Sequence, residues 1–389
     1  MISRLVFLIF IIQVGFINAQ LTSELIGTLP DEVLESSGLI FYNGKLITHN
    51  DSGNSTKLYE IDPLNLQILR IIDVTDAINT DWEDLAQDDD YIYIGDFGNN
   101  TGNREDLSIY RISKSDYDVS NVLSAERIDF SYEDQTDFSG TQNSDWDAEA
   151  LVDFGDQLLI FTKQWVTNGT VAYAIPKTPG EYTAKNLGFY DVNGLISGAV
   201  HNKFSNVLML LGYSSQLQPF ILRIDELSSD FTFNGTETKS SLGIAFSQVE
   251  GITFSDANTY FISSERFQFP NPPITLNAEI FTFKTSDEPF GRENTEEDPA
   301  PIDTINPEKK KDELIIYKQF GSYQLQYDLN SDAPIFGRAI FDITGKRVRH
   351  THGERIENNT IDLAGLDSNV YYLTFYLQGS TIAKPFILD

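Results

Sequence analysis

Carboxylates recur in this chain at a spacing that could gather them around one point. The stretch Asp81-Trp82-Glu83-Asp84-Leu85 returns as Asp147-Ala148-Glu149-Ala150-Leu151 and, in reduced form, as Gln248-Val249-Glu250-Gly251-Ile252. Two weaker copies lack the central acid: Glu35-Ser36-Ser37-Gly38-Leu39 and Leu195-Ile196-Ser197-Gly198-Ala199. Acids crowded into a confined site raise one another's pKa or demand a cation. Three chemistries are open to Glu83, Glu149 and Glu250. With Asp81 and Asp147 they could hold a hard divalent ion, and Ca²⁺ suits several carboxylate and amide oxygens at once. Glu149 and Glu250 could act as acid and base in a hydrolase, with Glu83 as modulator or metal ligand. The third possibility is structural: the acids cap strand ends and bond the backbone of a neighbouring unit.

Each copy opens a unit of roughly 50–60 residues, a period that marks a repeat architecture. Within a unit the acid motif begins a first strand. An apolar second strand follows: Lys45-Thr48, Tyr91-Gly95, Gln157-Thr162, Val207-Leu211 and Thr259-Ser263. A third strand alternates, as in Leu58-Ile61, Ile109-Ile112, Ala172-Ile175, Ile221-Ile224 and Ile280-Phe283. A fourth follows in the first four units, for example Leu66-Ile72 and Glu126-Tyr132. Four antiparallel strands repeated around a ring make a β-propeller. The fold expected is all-β, a five-bladed propeller followed by a small C-terminal β-sandwich. A six-bladed ring is the alternative, because the 113–145 stretch is long. The fifth unit lacks its own outer strand, and Glu24-Thr28 resembles the outer strands Lys185-Phe189 and Ser241-Ala245. It is expected to complete the last blade and cover its open edge.

The start of a first strand and the end of a second lie on one face of such a blade. The loops there are polar: His49-Asn50-Asp51, Asp96-Phe97-Gly98-Asn99-Asn100 with Arg104, Lys163-Gln164-Trp165, Tyr213-Ser214 and Glu265-Arg266. They should converge with the acids at one mouth of the channel, where ligands bind by default. His49, Asn50, Asp51, Asp96, Asn99, Asn100, Arg104, Lys163, Glu265 and Arg266 are therefore candidate ligand-binding residues. Several are turn formers first, since Gly and Asn supply positive φ. A single His in a polar turn is also a common structural residue. Trp82 and Trp146 could stack on a sugar or pack between blades. The chain carries no phosphate-binding Gly loop, nucleophile elbow or zinc-type His cluster.

Composition bounds the setting. The 389 residues are 41% hydrophobic and contain no cysteine, so packing, with or without metal, must hold the fold. A net charge of −31 argues against nucleic acid and anionic lipid surfaces as partners. Arg4, the apolar run Leu5-Ile12 and Ile17-Asn18-Ala19-Gln20 read as a secretory signal peptide over residues 1–19. No membrane span is expected after its cleavage. The propeller is placed at 20–285. Residues 286–313, rich in Pro and charge, read as a linker. Alternating runs from 314 to 389, such as Tyr323-Tyr327, Arg338-Asp342, Thr360-Leu363 and Tyr371-Tyr376, suggest the sandwich.

Two resemblances add to this reading. Ser37-Gly38-Leu39, His49-Asn50-Asp51-Ser52-Gly53, Asp81-Trp82-Glu83-Asp84-Leu85-Ala86, Tyr93-Ile94-Gly95-Asp96 and Asn99-Asn100 with Arg104 resemble a widespread, largely uncharacterised group of secreted bacterial propellers. More distantly the chain is similar to esterase-like phytase and quorum-regulated propellers. Phytase chemistry wants more basic groups than Arg104, Lys163 and Arg266. Residues 314–389 resemble the C-terminal sorting domain of type IX secretion substrates in Bacteroidota, through Ala339-Ile340-Phe341-Asp342-Ile343-Thr344-Gly345-Lys346-Arg347-Val348, Ile361-Asp362-Leu363-Ala364-Gly365-Leu366, Val370-Tyr371-Tyr372-Leu373 and Lys384. The family's Tyr-Pro-Asn-Pro opening is here Tyr317-Lys318-Gln319-Phe320, and its Gly before Val-Tyr is Asn369. This resemblance implies type IX secretion machinery as a partner and a secreted or outer-surface location. The expected function is binding of a small-molecule, glycan or protein ligand at an acidic, cation-holding mouth. A hydrolase of polysaccharide or ester substrates and a purely structural surface protein are the alternatives.

Overall fold

The computed structural model describes residues 21–289 and 313–388, apart from 142, 228–230, 232, 234, 245, 271–272, 319–322, 332–334, 343–346, 353–358 and 378–379. The expected signal peptide and residues 290–312 of the expected linker lie outside the described residues. The chain divides into two compact bodies, one running to Asn294 and one from Thr295. The described residues are almost entirely β, with a four-residue helix at Lys114–Tyr117. No helix among them is long and apolar enough to cross a membrane.

In the larger body, five sequence repeats build five antiparallel arrays. Their first strands are Ser36–Tyr42, Trp82–Gln87, Asp147–Phe154, Leu195–Asn202 and Val249–Phe254. Each pairs with the apolar second strand that follows it, respectively Lys45–Asn50, Tyr91–Asp96, Gln157–Lys163, Val207–Tyr213 and Thr259–Ser264. Third strands then add outward at Lys57–Ile61, Ser108–Ser113, Thr170–Pro176, Pro219–Asp225 and Glu279–Lys284. The five first strands pack each against the next, and Val249–Phe254 returns to Ser36–Tyr42, so the arrays form a closed, propeller-like ring.

The N-terminal strand Ser23–Thr28 pairs antiparallel with Glu279–Lys284, so the chain's beginning supplies the outer strand of its last array. The long stretch after residue 113 is used at the periphery. It forms the helix, a short strand Val122–Ser124 parallel to Ile68–Thr75, and the outer strand Glu126–Tyr132 of the second array. That outer strand also runs parallel to Gly180–Tyr190, which fuses the second and third arrays into one eight-stranded sheet. Two outer details differ from the sequence reading. The fourth array's outer strand is Thr236–Ser241, placed before rather than over Ser241-Ala245. A hairpin, Phe267–Pro270 with Pro273–Leu276, extends between the last two strands of the fifth array. Outer strands face solvent and carry a weaker apolar signal, so their limits are the hardest to read.

The core fills the spaces between neighbouring arrays. Trp82 is fully buried among Ile40, Ile47, Ile94 and Tyr110, with its indole N–H donating to Ile78 O at 2.8 Å. It is thus an inter-array packing residue rather than a sugar platform. The smaller body has a three-stranded sheet (Glu313–Lys318, Gln324–Asn330, Thr360–Asp362) and a four-stranded one (Arg347–His352, Ile335–Asp342, Asn369–Leu377, Ser380–Leu388). Leu314, Leu325, Ile340, Leu373 and Phe375 form its core.

Candidate functional site

The acid motif begins each first strand on a β-bulge. The register shifts between Trp82 and Asp84, Ala148 and Ala150, and Val249 and Gly251, which leaves Glu83, Glu149 and Glu250 as the unpaired extra residues. A bulge re-aims a side chain that regular alternation would send elsewhere. The equivalent Ser197 is bulged too, while in the first array the shift falls between Ser37 and Leu39. The two serines bond along the ring: Ser37 Oγ donates to Glu83 O and Ser197 Oγ to Val249 O, both at 2.5 Å. Serine therefore ties adjacent arrays together where the glutamates place a carboxylate.

Two overlapping groups of acids result. Ligand oxygens of Glu83, Asp147 and Glu149 all lie within 4.8 Å of one another, and so do those of Asp51, Asp81 and Glu83. The first group is buried and the second reaches toward solvent. Gly98 closes over them, and a Cβ there would collide with the Glu83 and Asp81 carboxylates. Asn99 N donates to Asp147 Oδ1 at 2.6 Å and Trp165 Nε1 to Asp147 Oδ2 at 2.9 Å. Asp147 is thereby fixed in place with lone pairs to spare.

Lys163 is the internal counter-charge. It is buried, its Nζ lies 2.9 Å from Glu149 Oε1, and it sits over the rings of Trp165 and Tyr213 at 4.9 and 5.5 Å. Burial works against its charged form, but Glu149, followed by Tyr213, Glu250 and Asp147, holds its pKa well above the usual lysine value. The acids shift the other way. Burial, then neighbouring acids, pushes Asp81 up to about 7; burial foremost, with Asp51 next, pushes Glu265 to about 7; burial raises Asp51 to about 6. Burial likewise drives Glu83 and Glu250 well above the carboxylate range. Burial raises Glu149 as well, with the Lys163 ammonium working against it. One lysine cannot neutralise Asp51, Asp81, Glu83, Asp147, Glu149, Glu250 and Glu265. The cluster must share protons or hold a cation.

The other candidates separate into roles. Asp96 and Arg104 pair at 3.3 Å, and Arg104 also bonds Gly98 O at 2.8 Å and Asp106 at 3.0 Å. Arg104 thus braces the Gly98-Asn99 loop. Asn50 bonds Glu32 O and Glu35 N and acts as a loop tie. His49 is fully buried, edge-on to Trp82, with Nδ1 bonded to Asn50 O at 3.0 Å. Burial lowers its pKa to about 4, so it is neutral. It belongs to neither acid group. Asn100 and Arg266 are exposed, and neither belongs to the acid groups. The Asn99 side-chain nitrogen and Gln248 Oε1 are buried without a hydrogen-bond partner among the described residues.

Asp84 was not singled out by sequence reasoning. Its carboxylate is wholly buried and accepts from Leu85 N and Leu151 N, each at 2.8 Å, with the Ala199 and Leu39 amides also turned to it. Burial favours the neutral acid while these four amides, contributed by four arrays, favour the carboxylate. A signal was available. The equivalent positions are Gly38, Ala150, Gly198 and Gly251, so a lone acid among small residues marks the spot where the first strands converge.

No protein-family model matches the chain, and no curated protein matches it. Solved structures do. A luciferin-regenerating enzyme is 9% identical, with a TM-score of 0.40 over 69% of this chain and 97% of that one. A calcium-binding regucalcin from Agrobacterium tumefaciens is 13% identical, with a TM-score of 0.38 over 70% and 97%. A quinonprotein alcohol dehydrogenase-like protein from Bacteroides thetaiotaomicron is 13% identical, with a TM-score of 0.31 over 86% and 68%.

Proposed function

We propose that residues 20–285 form a five-bladed β-propeller whose acidic mouth holds a divalent cation and presents it to a ligand. The carrying observation is the pair of acid groups that share Glu83. Glu83, Asp147 and Glu149 form the inner ligand set. Asp51 and Asp81 reach the same ion region from the solvent side. Oxygen ligands alone, in this number, favour a hard ion, and Ca²⁺ tolerates such an irregular set better than Mg²⁺. The partnerless Gln248 oxygen, whose backbone pairs with Glu265, adds a neutral acceptor to the fifth array's side of the mouth. Glu250 lies outside both groups but is buried and adds its charge to the field on Glu149 and Lys163.

The test is thermal unfolding with Ca²⁺ and with chelator. Saturating Ca²⁺ at about 100 times its Kd should stabilise the protein by about 2.7 kcal/mol. Glu83→Gln and Glu149→Gln should each remove most of that gain. An unchanged midpoint in the parent would sink the Ca²⁺ reading.

A second reading rests on the contrast between Glu149, paired with Lys163, and Glu250, which has no such partner among the described residues. Two carboxylates with different environments suit acid/base hydrolysis of a glycan or ester. Turnover in a hydrolysis screen that Glu250→Gln lowers by about a hundredfold or more would favour it. We further propose, from the sequence resemblance alone, that residues 314–389 direct type IX export to the outer surface. Cell fractionation with and without that segment tests the route.

A further inference from the structure

The channel has a second end. Beyond Leu85, Leu151 and Ala199, whose amides bind Asp84, the first strands splay around a cavity of about 220 Å³. Asp84 and its amides therefore separate this cavity from the acidic mouth. Its floor is aliphatic, from Ile40, Leu85, Leu151 and Ala199. Its walls add three aromatic rings, Phe41, Phe254 and Phe204. Phe204 packs edge-on to Phe254 at 5.7 Å while staying 46% exposed, so it stands at the opening.

Five charged or titratable side chains face this space: Lys114, Lys203, Asp88, Asp153 and His201. Four are already satisfied. Asp88 accepts from Asp90 N, Tyr91 N and the Tyr93 hydroxyl, with Lys177 at 3.5 Å. Asp153 is ion-paired with Lys177, and Lys203 with Asp89 at 2.6 Å. His201 Nε2 bonds Asn206 Oδ1 at 3.1 Å. Lys114 differs. It is 92% buried, being 8% exposed, and has no carboxylate within ion-pair distance among the described residues. Its Nζ donates to Asp88 O at 2.5 Å and lies 4.4 Å over the Tyr42 ring. An ammonium carries three donors, so two remain. Asp88, Asp89 and Asp118 act on it only from beyond contact distance, so a buried ammonium beside an apolar cavity would gain from an anion that touches it directly.

We propose that this cavity is a binding site for a small organic carboxylate with an apolar, aryl-sized body, the ring lying among Phe41, Phe254 and Phe204 and the carboxylate accepting from Lys114. The site is independent of the cation at the other mouth.

The test uses the whole chain in chelator, so that a carboxylate probe cannot bind through a mouth cation. Benzoate and the neutral benzamide are titrated by calorimetry and ligand-observed NMR. Benzoate should bind at least about tenfold tighter, as a charge-assisted hydrogen bond requires. Lys114→Met, which keeps the stem and removes the charge, should erase the difference between the two probes. Val200→Trp, filling the cavity from its rim, should abolish both. Three results would overturn the proposal: no saturable binding to the folded parent, equal binding of the two probes, or binding that survives Val200→Trp. If that variant misfolds, the Lys114→Met comparison still decides.

Discussion

The same five strands end in opposite environments. At their starts, bulges turn three glutamates and their aspartate neighbours into a crowded polar mouth. Toward their finishes Ile40, Leu85, Leu151 and Ala199 face an apolar cavity. Backbone symmetry is common to both ends. Chemistry enters where the repeats differ from one another: Glu or Ser at the bulge, and Asp84 where its counterparts are Gly or Ala. A ring of repeats is thus a neutral frame on which single departures, rather than the motif as a whole, place function.

Removing the divider between the two ends should have the largest effect. Asp84→Ala orphans several buried amides from different arrays, each worth about 1–3 kcal/mol when left unpaired. Urea unfolding should show a loss of roughly 3–5 kcal/mol, and an unchanged midpoint would mean the amides find other acceptors. Lys163→Met comes next. Without its ammonium the acid cluster loses the buried counter-charge that touches it, so the chelated protein should be destabilised by about 3 kcal/mol. Its Ca²⁺ affinity should rise by about tenfold, measured by titration. Lys114→Met at the other end should leave Ca²⁺ affinity unchanged.

The pH dependence separates the ends further. Asp51, Asp81 and Glu265 have folded pKa values of about 6, 7 and 7, raised above those of an unfolded chain. The folded state then binds more protons between about pH 4 and 7, so stability falls as pH rises through that window. His49, lowered to about 4, works the opposite way below its ordinary pKa but is a single group. The chelated protein should therefore melt higher at pH 5 than at pH 8. Ca²⁺ should restore the midpoint at pH 8 and do little at pH 5. A profile indifferent to Ca²⁺ would dissolve the contrast between the ends. The smallest effect belongs to the rim pair Lys203–Asp89, with side chains 54% and 87% exposed. A double-mutant cycle there should give less than about 1 kcal/mol.

The apolar second and third strands could be read from the chain because their side chains are sandwiched between arrays, and burial on both faces leaves runs such as Leu158-Leu159-Ile160-Phe161. The acids could be read because the motif repeats. Which acids meet could not. Asp51 comes from a loop in the first array and reaches Glu83 of the second, a contact that depends on how the ring turns rather than on local spacing. The role of Lys163 as internal counter-ion was likewise hidden, since its partner Glu149 is recognisable only once both strands are paired. The second cavity gave no signal at all. It is lined by ordinary strand residues whose convergence is a property of the closed ring.

The outer strand of the last array carries a temporal consequence. Ser23–Thr28 is the first strand of the ring to leave the ribosome, yet its partner Glu279–Lys284 is made only after every other strand of the ring. Until then one segment is a solitary strand and the other an open edge, each able to pair with the wrong chain. The latch is also the contact of longest sequence separation in the body, so it forms late and at high entropic cost. Its hydrogen bonds register that the last strand of the ring has been made: a chain cut short before residue 279 has the strands of its first four arrays but no partner for its first strand.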